Sequence, residues 1–116
     1  MELNHRELER YVRRVSDRWP LERAMLGGAR VADLRGAGPQ RERGPKYVIV
    51  LVSEHFDGVP WLERVYVTGT LWDAYEMGAP ADVHAYTPAE FERKRENMAA
   101  VRAAAEWGLE LVPEPA

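Results

Sequence analysis

The chain has no cysteine, which excludes disulfide bonds, thiolate catalysis and cysteine-based zinc sites together. It has no apolar run of membrane length. Its first residues are charged where a secretory leader would carry an apolar core, so no membrane association and a cytoplasmic location are expected. A basic excess is missing too: 16 Lys and Arg stand against 19 Asp and Glu, a formal net charge of -3. That balance argues against bulk electrostatic binding of nucleic acid and leaves only local basic patches. No internal repeat is visible. The absence with the greatest consequence is local: Lys46–Ser53, KYVIVLVS, contains no Asp or Glu.

That same stretch organises what is present. Tyr47 to Val52 are all apolar and mostly aromatic or β-branched, in a run too short for a helix, so a strand is predicted. The run is continuous rather than alternating, which implies cover on both faces, as for a central strand. At 116 residues the chain is expected to be one domain over 1–112 with a short tail at 113–116.

Taken in order, Asn4-x-x-Glu7 reads as a helix N-cap with a reciprocal carboxylate. Leu8, Tyr11, Val12, Val15 and Trp19 follow at helical spacing, and Pro20 ends the helix. Leu21–Leu26 is predicted as a strand closed by Gly27-Gly28, which allow a tight turn and a close backbone approach to a ligand. Residues 30–45, with Gly36, Gly38, Pro39, Gly44 and Arg30, Arg35, Arg41 and Arg43, read as a flexible Gly/Arg-rich loop. Residues 61–77 carry both helical and strand signals. A helix is predicted there, because a parallel or mixed sheet needs a crossover. Ala81–Tyr86 is the third strand. Thr87-Pro88-Ala89-Glu90 is a capped helix start, opening a helical region to about Trp107 with a break near Asn97. Gly108 is expected as the left-handed terminating glycine, before a last strand, Leu109–Val112. The sum is an α/β (α+β) fold, a small mixed sheet of about four strands with helices on one side.

In this order the chain resembles the minimal nucleotidyltransferase domain of the DNA polymerase β superfamily, small bacterial proteins often paired with a helical HEPN partner. The most specific part of the resemblance is Ala81-Asp82-Val83-His84-Ala85-Tyr86-Thr87-Pro88-Ala89-Glu90-Phe91 followed by Trp107-Gly108-Leu109-Glu110-Leu111-Val112. The resemblance implies a Gly-Ser pair after the first strand to hold nucleotide phosphates. It also implies two Asp one residue apart opening the second strand and a third on the next, together holding two Mg²⁺ ions. On this chain those positions fall on Gly27-Gly28, on Lys46 and Val48, and on Asp82. One carboxylate cannot hold two divalent ions against a triphosphate, so Asp82 is expected as a vestigial metal ligand and no catalytic residue is assigned.

The resemblance thus implies a domain that has lost catalysis and acts as a binding or regulatory module. An antitoxin-like partner of a HEPN protein in a toxin–antitoxin pair is one example; another copy of the chain is an alternative partner. Trp61, Trp72 or Tyr75 would serve such an interface where exposed. A second reading is nucleotide binding without transfer, through Gly27, Gly28, Arg30 and Lys46, with Lys46 neutralising phosphate charge in place of a metal. No cofactor is then required, and Mg-nucleotide is the one to test. A third is an enzyme of altered chemistry built on Asp82 with His84 or His55; Asp82 and His84 share a strand face.

Overall fold

The computed structural model describes residues 3–35 and 45–112. The order is α1 (His5–Arg18), β1 (Arg23–Gly27), α2 (Ala29–Arg35), β2 (Tyr47–Val52), a 3₁₀ turn (Glu54–Phe56), α3 (Trp61–Thr70), α4 (Ala74–Met77), β3 (Ala81–Tyr86), α5 (Pro88–Asn97), α6 (Ala99–Trp107) and β4 (Leu109–Val112). The sheet runs β3-β2-β1-β4; β2 and β3 are parallel, and the β1–β2 and β1–β4 pairs are antiparallel. The mixed four-stranded sheet is thus as the sequence predicts. None of the helices among the described residues is long and apolar enough to cross a membrane.

Every residue of β2 is buried, the cover implied by its unbroken apolar run. Alternation along the strands divides two cores. One face carries Ala24, Leu26, Tyr47, Ile49, Leu51 and Ala85 against Leu8, Tyr11 and Val15 of α1, Val31 of α2, Trp72 and Met77. The other carries Met25, Val48, Val50, Val52 and Tyr86 against Phe91 of α5 and Val101 and Ala104 of α6. Helices therefore cover both faces, not one; the sequence expectation fails because α5 and α6 fold back across the face opposite α1.

Local signals explain most element ends. The Thr87 hydroxyl accepts from the Glu90 amide at 3.3 Å and the Glu90 carboxylate accepts from the Thr87 amide at 2.8 Å, the predicted reciprocal cap. The helical region breaks at Met98, whose extended backbone separates α5 from α6. At α1 the box is half formed. Asn4 accepts from the Glu7 amide at 3.1 Å, but the Glu7 carboxylate is turned inward and pairs with Arg10. Residues 61–77 are helical, in two pieces joined at Leu71–Asp73.

Two expectations are corrected. Residues 29–35 are a helix, not the start of a loop, while the remainder of the predicted loop, 36–44, lies outside the described residues, as does the 113–116 tail. Gly108 is extended, with φ at -77°, and is not left-handed. Its reason is space: a Cβ there would run into the carbonyl oxygens of Ala104 and Leu26.

Candidate functional site

The register of β2 against β3 defines the site. Val48 pairs with Asp82, Val50 with His84 and Val52 with Tyr86, all on the face covered by α5 and α6. Asp82, His84 and Tyr86 are two residues apart, so the strand period puts them in one line. They are hydrogen-bonded in that order. His84 Nε2 lies 2.9 Å from Asp82 Oδ2, and His84 Nδ1 lies 2.8 Å from the Tyr86 hydroxyl, which in turn reaches Met98 Sδ at 3.7 Å. Asp82 is half-exposed at the open end of the line, while His84 and Tyr86 are buried. Trp61 stacks on Tyr86 at 5.4 Å between ring centres.

Both charge states of His84 are satisfied in this line. A neutral ring donates from Nε2 to Asp82 and accepts the Tyr86 hydroxyl at Nδ1. A protonated ring donates at both nitrogens, and the Tyr86 proton turns to Met98. Neither ring nitrogen is left for a substrate. The pair the sequence singles out is therefore an internal hydrogen-bonded arrangement. Tyr86 is its unforeseen third member, which the same period-2 spacing could have found.

Burial, with the carboxylates of Asp82 and Glu90 nearby, pushes the Tyr86 phenol up to about 12. An unfolded tyrosine ionises near 10, so the proton that the folded state retains stabilises it fully below pH ~10, and that contribution is lost as pH rises towards ~12. Thermal unfolding followed across this window is expected to show a steep fall in Tm for the wild type and a shallower one for Tyr86→Phe. Equal slopes would refute the assignment.

The remaining candidates are placed as follows. A Cβ on Gly27 would lie 3.1 Å from Ala104, so this glycine admits α6 against β1. Gly28 is left-handed and lies against the Lys46 carbonyl. The two amides that follow are already used: Ala29 donates to the Pro45 carbonyl and Arg30 to that of Lys46, both at 3.1 Å. The Arg30 guanidinium lies over the Tyr47 ring and donates to the Tyr47 hydroxyl and to the carbonyls of Met77 and Gly78, tying α2 to the end of α4. Lys46 is exposed immediately before β2. Arg41 and Arg43 of the predicted loop lie outside the described residues, and His55 follows the far end of β2.

The row that would hold metal contains Val48 and Asp82, and Asp82 is engaged by His84. Among the described residues, no group of three His, Cys, Asp or Glu side chains is arranged to hold a metal ion. Among the described residues, the donor set therefore does not fit the two-ion site that the resemblance implies.

Comparison with known proteins places the fold. No protein-family model and no curated protein matches the chain. Among solved structures it is similar to the crystal structure of a "putative nucleotidyltransferase" from Sulfolobus solfataricus, at 18% identity and a TM-score of 0.51, over 76% of this chain and 70% of that one. At that identity the likeness is one of fold. This chain has a nucleotidyltransferase-like fold, a four-stranded mixed sheet flanked by helices.

Proposed function

We propose that the chain is a nucleotidyltransferase-like module that binds and regulates rather than transferring nucleotides. One observation carries this reading: Asp82 faces Val48 across the β2–β3 pair and is hydrogen-bonded to His84. A carboxylate with a histidine partner and an aliphatic neighbour has neither the charge nor the free oxygens to hold two Mg²⁺ ions. The partner in this reading is a helical protein of the HEPN kind, as for an antitoxin, or a second copy of the chain. Trp61 and Leu62 at the start of α3, 43% and 77% exposed, offer it an aromatic and an aliphatic anchor. Trp72 does not take part, because it is buried and its indole donates to the Ala79 carbonyl at 3.0 Å.

Nucleotide binding without transfer is the second reading. It is favoured by exposed Lys46 beside Gly28, at the same end of β2 as Asp82. Thermal melting with ATP, GTP, CTP or UTP, each with Mg²⁺ and again with EDTA, separates the readings. A nucleotide at about 100 times its Kd stabilises by roughly 2.7 kcal/mol, a Tm rise on the order of 10 °C for a domain of this size. No shift is expected for the partner-binding module. A shift persisting in EDTA supports the lysine-neutralised site. A shift that requires Mg²⁺ overturns the loss of the metal site.

A further inference from the structure

Helix α1 carries arginine at every fourth position: Arg6, Arg10, Arg14 and Arg18. Residues four apart on a helix are neighbours, separated by about 6 Å of rise. The four guanidiniums therefore form a slowly winding ladder, and all four residues are exposed. Arg10 pairs with Glu7 and Arg18 with Glu63, each at 3.3 Å, whereas no ion pair holds Arg6 or Arg14 among the described residues. The core does not need the ladder, because Leu8, Tyr11 and Val15 supply the buried side of α1.

A second ridge runs beside it in the opposite direction. Arg18 bonds to Glu63 at the start of α3, the Tyr11 hydroxyl donates to the Thr68 carbonyl at 2.9 Å, and the Asn4 amide donates to the Glu76 carbonyl in α4 at 3.3 Å. From this ridge Tyr66 and Tyr75 project into solvent, 72% and 91% exposed. Among the described residues neither ring stacks on another ring or on a cation.

One exposed tyrosine would need no explanation. Two uncovered rings on a ridge flanked by a partly unpaired arginine ladder are a different matter. Arginine forks hold phosphate oxygens, and tyrosine rings give bases a stacking surface. A duplex hides its base faces and would leave the tyrosines idle. An acidic peptide would use the arginines alone. The net charge of -3 leaves attraction of a polyanion to local basic patches, and on this flank such a patch lies beside exposed aromatic surface.

We propose that the α1–α3/α4 flank binds a single-stranded polynucleotide, with phosphates on Arg6, Arg10 and Arg14 and bases on Tyr66 and Tyr75. The flank packs on the sheet face opposite Asp82, which separates it from the nucleotide-binding reading; Tyr66 lies one turn beyond Leu62 on α3, so a protein partner and a bound strand would compete there.

The test is fluorescence anisotropy with labelled twelve-nucleotide oligo(U) and oligo(dT), and with a duplex of equal length, at about 50 and 200 mM salt. The wild type is expected to bind the single strands more tightly than the duplex. Arg6→Gln/Arg14→Gln should weaken binding about tenfold or more and make the log–log salt slope shallower by about 1.4, at roughly 0.7 for each phosphate no longer neutralised. Tyr66→Ser should weaken single-strand binding at least about fivefold with the salt slope unchanged, as loss of a stacked base requires. These substitutions are at exposed positions, and an unchanged melting curve checks that each variant is folded. A preference for oligo(U) or oligo(dT) names the sugar and keeps the proposal. It is overturned if single strands fail to bind at low salt, if duplex binds equally well, or if binding survives either set of substitutions.

Discussion

Arg64→Met is expected to destabilise the protein by about 2–4 kcal/mol, because a buried, hydrogen-bonded charge is removed and its acceptors lose their donor. Arg64 is only 6% exposed although it carries a full charge. Its guanidinium joins three elements. Nε donates to the Val59 carbonyl at 2.9 Å, and Nη1 donates to the Ala85 carbonyl at 3.1 Å and to Glu90 Oε1 at 2.7 Å. The Phe56 ring lies beneath it, 5.7 Å from centroid to guanidinium carbon. Methionine fills much of the volume but leaves two carbonyls unpaired and the Glu90 carboxylate without its counter-charge, and each orphaned group keeps its desolvation cost. Glu90 is also the capping residue of α5, so the loss spreads to that helix's first turn.

Acid titration gives an independent check. Burial alone would raise the Glu90 carboxyl, but hydrogen bonds from Arg64 and Thr87 and the Arg64 charge hold it below the ordinary carboxylate range. A lowered folded pKa contributes stability that is present above the unfolded value, near 4.5, and is lost as pH falls through the folded one. Wild type should therefore lose stability more steeply than Arg64→Met in this acid window. Chemical denaturation near neutral pH measures the main effect. A loss below about 1 kcal/mol would mean that water or a neighbour replaces the guanidinium.

The parts of the fold legible in the sequence are those where one local signal dominates. β2 is six apolar residues with β-branching, and β3 runs into a Thr-Pro-x-Glu cap; both are readable because no competing pattern overlaps them. α2 is not readable. Seven residues between Gly27-Gly28 and Gly36 make less than two stable turns alone. What helps hold them is the tertiary link from Arg30 to Met77 and Gly78, residues more than forty positions away. Gly108 misleads for a related reason. A glycine after a helix suggests a left-handed cap, whereas the constraint here is the approach of the Ala104 and Leu26 carbonyls, which only the folded chain creates. At the candidate site, strand period puts Asp82 and His84 on one face. It cannot show that Val48 lies directly opposite Asp82, because register belongs to the pairing and not to either strand. The uses found for Arg30 are likewise tertiary.

Gly28→Ala is expected to be the other severe lesion, costing more than about 3 kcal/mol or preventing soluble folding. Two separable effects meet at this residue. Its φ of +104° disfavours any L side chain, and a Cβ would sit 2.5 Å from the Lys46 carbonyl oxygen and 2.7 Å from Tyr47 Cα. The obstacle is backbone of the central strand, which cannot rotate aside as a side chain does. Relief would have to displace the turn that carries the Ala29–Pro45 and Arg30–Lys46 hydrogen bonds. Gly58 isolates the first effect. Its φ is +81° with nothing within 4 Å of an added methyl group, so Gly58→Ala should cost only the left-handed strain, about 1–2 kcal/mol. Gly69 removes both effects. It lies inside α3 with open space around it and no left-handed φ, so Gly69→Ala should stabilise by about 0.5–1 kcal/mol through helix propensity and a less flexible unfolded chain. Thermal or chemical unfolding of the three variants should therefore rank them Gly69→Ala above wild type, Gly58→Ala below it and Gly28→Ala lowest. Similar costs at Gly28 and Gly58 would mean that β2 yields to the methyl group and that the turn after β1 is not built on this close approach.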